Sequence, residues 1–140
     1  GPSRPQREVA DMWNGWPAER WFYLLIGVIF AAIFIQVTLM HRRQNFRHPA
    51  MWFPVVATPT LAGLAFLLTA FDLPALRVLL ALGAAAGTLI GLVGSYFHVA
   101  GAGERVGGFT LDNFMTGPPP MLPAMVTAMS LVTLLVLYLL

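Results

Sequence analysis

The chain has 140 residues, of which 58% are apolar and only 10% are charged, and its formal net charge is +2. So few charged side chains cannot solvate a globular domain of this size, but they suffice for the two rims of a membrane-embedded bundle. The small net charge gives no basis for nucleic-acid binding. The absence of cysteine excludes disulfides, thiolate metal sites and iron–sulfur ligation.

Long apolar stretches, separated by polar or turn-forming residues, make up most of the chain. A helix of about twenty residues, rising ~1.5 Å per residue, crosses the ~30 Å hydrocarbon core of a bilayer. The sequence therefore predicts an all-α integral membrane protein, a single four-helix transmembrane domain (1–140) with the lipid bilayer as its main partner. The predicted spans are 17–41, 51–71, 73–99 and 121–140, preceded by an N-terminal arm at 1–16.

Successive spans are antiparallel, so the connections alternate between two membrane faces. The arm, the turn at Asp72 and the C-terminal end share one face, here called face A. The connections 41–50 and 100–120 share the opposite face, face B. Arg77, one turn into the third span, is expected either to extend toward the headgroups or to pair with Asp72.

The orientation in the membrane is predicted from the arginines, because cytoplasmic loops collect positive charge. Four arginines fall on each face, but Arg42 and Arg43 are clustered directly beside a span end on face B. This clustering favours a cytoplasmic face B. The resulting prediction is a bacterial inner-membrane protein with both termini on the non-cytoplasmic side.

The connection 100–120 is long, and its composition is unusual for a solvated loop. It begins glycine-rich, carries the apolar segment 109–115, and ends in three consecutive prolines. Apolar residues in a loop at a bundle end are typical of an interfacial or re-entrant segment. The sequence therefore predicts a structured loop lying across the face B mouth.

Histidine supplies the candidate metal ligands. His41, His48 and His98 all map to face B, and Asp112 lies in the loop on the same face. Neutral imidazole is a common ligand of metal ions and haem iron. Convergence of these residues predicts a site for a transition metal or for a b-type haem. The alternative is that the histidines are only polar groups at the headgroup layer. The sequence has no H-x-x-H or H-x-x-x-H spacing, and that absence favours this alternative.

Small residues form a stripe on the third span. Gly83, Gly87 and Gly91 recur every four residues and so share one helix face. Such a stripe lets another helix backbone approach closely. It is predicted to pack within the bundle or, alternatively, to form the seam of a homo-oligomer.

Methionine forms a second stripe. Met121, Met125 and Met129 share a face of the fourth span, and thioethers are soft ligands that select Cu(I). This spacing, with a separate glycine stripe, is similar to a pattern in high-affinity copper-uptake channels. Those channels have three spans and a different order of motifs, so the chain is not assigned to that family. The alternative is that Met simply fills the core.

Catalytic motifs are not visible in the sequence. The spans hold no Asp, Glu, Lys or Arg at mid-depth, which argues against an ion-coupled transporter. No serine stands in a recognisable arrangement with histidine and a carboxylate, and no phosphate-binding glycine loop occurs. Two main hypotheses follow: a membrane subunit of a redox assembly that meets other redox subunits, or a structural or binding protein without chemistry. Cu(I) handling by the methionine stripe is a third.

Overall fold

Four membrane-length helices build the protein, as the sequence predicts. The computed structural model describes residues 12–43, 46, 49–104 and 121–140. Within these ranges, all four long helices are long and apolar enough to cross a membrane. The helices are α1 (Ala18–Arg43), α2 (Trp52–Ala70), α3 (Pro74–Glu104) and α4 (Met121–Leu139), and a short 3₁₀ helix (Pro49–Met51) precedes α2.

The helices pack in a closed ring in chain order. α1 packs along α2 and α3 along α4, while α2 contacts α3 and α1 contacts α4. Side chains that share the inward stripe of each helix form one core. Its fully buried members include Tyr23, Phe30, Ile33, Leu61, Leu68, Leu80 and Val126.

The third helix is longer than its apolar stretch predicts. It ends at Glu104 rather than near residue 99, so the first residues of the predicted 100–120 loop are helical. Glycine lowers helix propensity by only about 1 kcal/mol, and no proline interrupts the helix after Pro74. His98 consequently lies inside α3 rather than at its end. The rest of the loop, including the predicted structured segment, lies outside the described residues.

The end of α1 explains how the chain turns on face B. Phe46 has a left-handed backbone conformation (φ 48°). Its N–H donates to the carbonyl oxygen of His41 at 3.1 Å, satisfying one of the orphan carbonyls of the last helical turn. The Phe46 ring then stacks on Trp52 with a 4.1 Å centroid separation, which ties this turn to the start of α2.

Candidate functional site

The imidazole of His41 is the chemically notable group on face B. His41 lies in the last turn of α1 on its buried stripe, and only 9% of the residue is exposed. The ring of Phe46 meets it edge-on at 6.3 Å between centroids. The Nδ1 atom of His41 is buried and has no hydrogen-bond partner among the described residues. Buried polar atoms are nearly always satisfied, so this nitrogen needs an explanation.

His98 lies on α3, toward the same membrane face as His41. It is half-buried and has an interaction partner of its own. A charge on His98 is the weakest of the influences on the His41 ring, after burial and a hydrogen bond to the Met51 backbone. Two of the three predicted histidines therefore lie toward the same face.

The other predicted ligands, His48 and Asp112, lie outside the described residues. Within the described ranges, no group of three or more His, Cys, Asp or Glu side chains could hold a metal ion. The described residues therefore contribute two imidazoles toward this face, and their convergence with His48 and Asp112 stays a prediction.

A hydroxyl adds to the polar character of this region. Thr38 precedes His41 by one helical turn, and residues three apart share a helix face. Its Oγ1 atom is buried and, like the His41 nitrogen, has no hydrogen-bond partner among the described residues. Thr38 was not among the residues predicted for this site. Its i, i+3 spacing to His41 was the available signal.

The methionine stripe lies largely in the hydrophobic core. Met125 and Met129 are partly buried and pack against the core side chains. The side chain of Met121 lies outside the described part of the structure. Core contact is what methionine as an adaptable filler provides, and the Cu(I) hypothesis stays a prediction.

The glycine stripe faces the protein's own helices. A methyl group placed on Gly83 would lie 2.9 Å from Cδ2 of Leu61 on α2, and one on Gly91 would lie 2.7 Å from the Pro123 carbonyl oxygen on α4. At Gly87 it would collide with the hydroxyl of Ser130. This face of α3 is therefore occupied within the bundle and is not available to a second copy.

Face A carries a charged network that joins α1 to α3. Arg77 donates through Nη2 to Asp72 at 2.7 Å, as expected from the sequence, and its Nη1 forms an ion pair with Glu19 of α1. The Tyr23 hydroxyl donates to Glu19 at 2.6 Å and accepts from Arg77 at 3.2 Å. Sequence reasoning missed the partnership of Glu19 with Arg77, because the two residues are 58 positions apart.

The segment before α1 covers the end of α2 on the same face. Trp13 donates its indole N–H to the carbonyl oxygen of Leu68 at 2.7 Å, and Arg20 donates Nε to that of Thr69 at 2.9 Å. Both carbonyls belong to the last turn of α2, where the helix offers no partner. The Arg20 guanidinium also lies 3.8 Å above the Trp16 ring, a cation–π contact.

The two faces thus differ in chemical character. On face A each charged side chain of the network has a partner of opposite charge or a carbonyl acceptor, so the arrangement fastens helices together. On face B a buried imidazole nitrogen and a buried hydroxyl lack partners among the described residues. The third buried polar atom without a described partner is the Oγ of Ser130, inside the bundle.

Comparison with family models, curated proteins and solved structures finds no match to this chain. Function is therefore inferred from the chemistry of these residues.

Proposed function

We propose that this protein is a membrane subunit of an electron-transfer assembly, and that His41 and His98 bind a metal centre at face B. The centre is a transition-metal ion or a haem iron, because both take neutral imidazole nitrogen as a ligand. One observation carries the proposal: the buried Nδ1 of His41 has no partner among the described residues, at the membrane face toward which His98 also lies.

Coordination resolves the energetic problem posed by that nitrogen. An imidazole nitrogen left without a partner in a low-dielectric interior is destabilising by roughly 1–3 kcal/mol. A metal bond satisfies the nitrogen and needs no proton on it. Two imidazoles suffice as the axial ligands of a haem iron, whereas a metal ion needs more, so His48 and Asp112 are the proposed additional ligands in that case.

A redox role fits the rest of the chain better than transport does. The spans carry no charged residue at mid-depth that would conduct ions or relay protons. His41 and His98 both lie toward face B, the face to which the sequence assigns the long connection. A centre there lies at the membrane surface, where a peripheral redox subunit has access to it.

The test is an absorption spectrum and a metal analysis of the protein purified from membranes. A Soret band identifies haem, and stoichiometric metal without that band identifies a metal ion. His41→Ala is expected to lower occupancy at least tenfold, and Tyr96→Phe is the matched control because Tyr96 is an exposed ring near the same end of α3. Only variants whose melting temperature matches that of the wild-type protein are compared.

Three outcomes would contradict the proposal. Neither haem nor stoichiometric metal in the wild-type protein would favour the structural or binding hypothesis. Occupancy unchanged in both His41→Ala and His98→Ala would place the centre elsewhere. Copper that is kept in His41→Ala but lost in Met125→Leu would favour the Cu(I) hypothesis instead.

A further inference from the structure

The lipid-facing side of α1 carries a carboxamide in a place where lipid offers it no partner. Gln36 is exposed on α1 and makes no hydrogen bond to another described residue. It precedes His41 by five residues, which places its backbone about 7–8 Å inside the span from that end. Helical side chains lean toward the helix N-terminus, so the Gln36 amide points deeper into the bilayer rather than toward face B.

Exposure to lipid distinguishes Gln36 from Thr38 and Ser130, whose hydroxyls also lack a described partner but are buried. Thr60 is also exposed, but its hydroxyl donates to the Val56 carbonyl of its own helix at 2.7 Å. Thr69 and Thr133 are buried, and each likewise bonds a carbonyl one turn earlier. A glutamine amide has two donor hydrogens and an acceptor oxygen, and hydrocarbon satisfies none of them.

Gln36 stands within a regular stripe on the outer side of α1. The stripe repeats with alternating steps of three and four residues, which is the spacing of a left-handed helix–helix seam. All its members are exposed except Ile29, which is partly buried. They are Phe22, Leu25, Ile29, Ala32, Gln36 and Leu39.

We propose that this stripe, the α1 seam, is the interface of a homodimer in which the Gln36 amides of two copies bond each other. Copies inserted in the same orientation can be related by a two-fold axis along the membrane normal, and their α1 helices are then parallel. Each Gln36 meets the other at equal depth, where the oxygen of each amide accepts from the nitrogen of its counterpart. The amide is thus self-complementary.

The neighbouring residues favour a close approach at that depth. Ala32 lies one turn away and has a minimal side chain, so it allows the two backbones to come near enough for the amides to meet. A polar residue at one position of such a seam also fixes register, because any sliding of the helices separates the pair. The α1 seam faces a different side of the helix from the buried stripe of Tyr23, Phe30 and His41, so the dimer does not use the residues of the metal site.

The first experiment measures association of the full chain in liposomes. A single cysteine at the exposed Asn14 carries donor or acceptor dye, and energy transfer is followed while lipid dilutes the protein. Gln36→Leu removes both bonds of the reciprocal pair, so it is expected to raise the dissociation constant by at least about three- to thirtyfold, the range for one interhelical hydrogen bond in a membrane. Gln36→Asn retains an amide and should weaken association less, and Thr60→Val is the matched control that should leave it unchanged.

The second experiment locates the interface. Because the chain has no native cysteine, Leu39→Cys places one thiol on the α1 seam and Leu89→Cys places one on the exposed side of α3. Under mild oxidation Leu39→Cys should form a disulfide-linked dimer and Leu89→Cys should not. Three results would each overturn the proposal. They are a wild-type protein that is monomeric at every lipid ratio, a Gln36→Leu variant that associates as strongly as the wild type, and cross-linking through Leu89→Cys but not through Leu39→Cys.

Discussion

Replacing Gly91 by alanine is expected to separate α3 from α4. A methyl group there would lie 2.7 Å from both the Pro123 carbonyl oxygen and the Thr127 backbone nitrogen. That distance is roughly 0.7 Å less than ordinary van der Waals contact. Both atoms belong to the α4 backbone, so no side-chain rotation relieves the overlap, and the helices must move apart.

The structure also supplies a matched control. Gly63 lies on the exposed side of α2, and a methyl group there would meet nothing within 4 Å. Both Gly→Ala changes gain the same helix propensity, about 1 kcal/mol. The difference between the two variants therefore isolates the overpacking term, which is typically ~1–3 kcal/mol.

Alanine at two other helix glycines, Gly83 and Gly27, should give stabilities between those of these two variants. At Gly83 the nearest atom is the terminal methyl of Leu61, and at Gly27 it is the Phe66 ring on the lipid side, at 2.7 Å. Both neighbours are side chains that can change rotamer, so these alanine variants should lose less stability than Gly91→Ala.

The ranking is measured by unfolding the variants in detergent, either by heating or by adding a denaturing detergent. Circular dichroism reports the loss of helix. The expected order of stability is Gly63→Ala highest and Gly91→Ala lowest. If Gly91→Ala unfolds at the same point as Gly63→Ala, the close α3–α4 contact that carries this reasoning is refuted.

Further predictions concern face A and the topology. Glu19→Gln should lower the unfolding free energy by about 1.5–3 kcal/mol, since it removes a charge that joins α1 to α3. Asp72→Asn should lower it less, because Asp72 directly precedes α3 and its partner Arg77 lies on that same helix. Equal losses in the two variants would contradict this. Trp13→Phe should lose about 0.5–1.5 kcal/mol through the missing indole N–H bond to α2, and no change in denaturant midpoint would argue against that bond. Single cysteines replacing Asn14 and Asn45 should be labelled by an impermeant thiol reagent from opposite sides of a sealed vesicle, with Asn45 on the cytoplasmic side; labelling of both from one side would refute the topology.

The number and order of the helices could be predicted from the sequence, because each span is a continuous apolar run of sufficient length. The ends were less predictable. α3 continues to Glu104 because a helix leaving the membrane need not stop where hydropathy falls, and glycine alone does not end it.

Side-chain partnerships depended on distance along the chain. The Arg77–Asp72 pair was predictable because its members are five residues apart. The bond between Arg77 and Glu19 was not, since it requires knowing that α1 and α3 present those residues to each other. The close approach of α1 to α2 at Gly27 was missed for the same reason, because one glycine makes no stripe.

The site followed the same rule. Topology alone places His41 and His98 toward one membrane face, and their convergence on a shared centre stays a prediction. No pattern in the sequence indicated that the His41 nitrogen would be buried without a described partner.

The two polar ends of the bundle are far enough apart to serve different purposes. Glu19 and His41 lie on one helix and are 22 positions apart in the sequence, which corresponds to about 33 Å along the axis. Groups so far apart do not couple through direct contacts. The face A network can therefore hold the helices together while one nitrogen of His41 at face B lacks a described partner, because stability supplied at one end compensates for the cost at the other. The proposed metal centre would satisfy this nitrogen, and local rules of this kind are most often broken at functional sites.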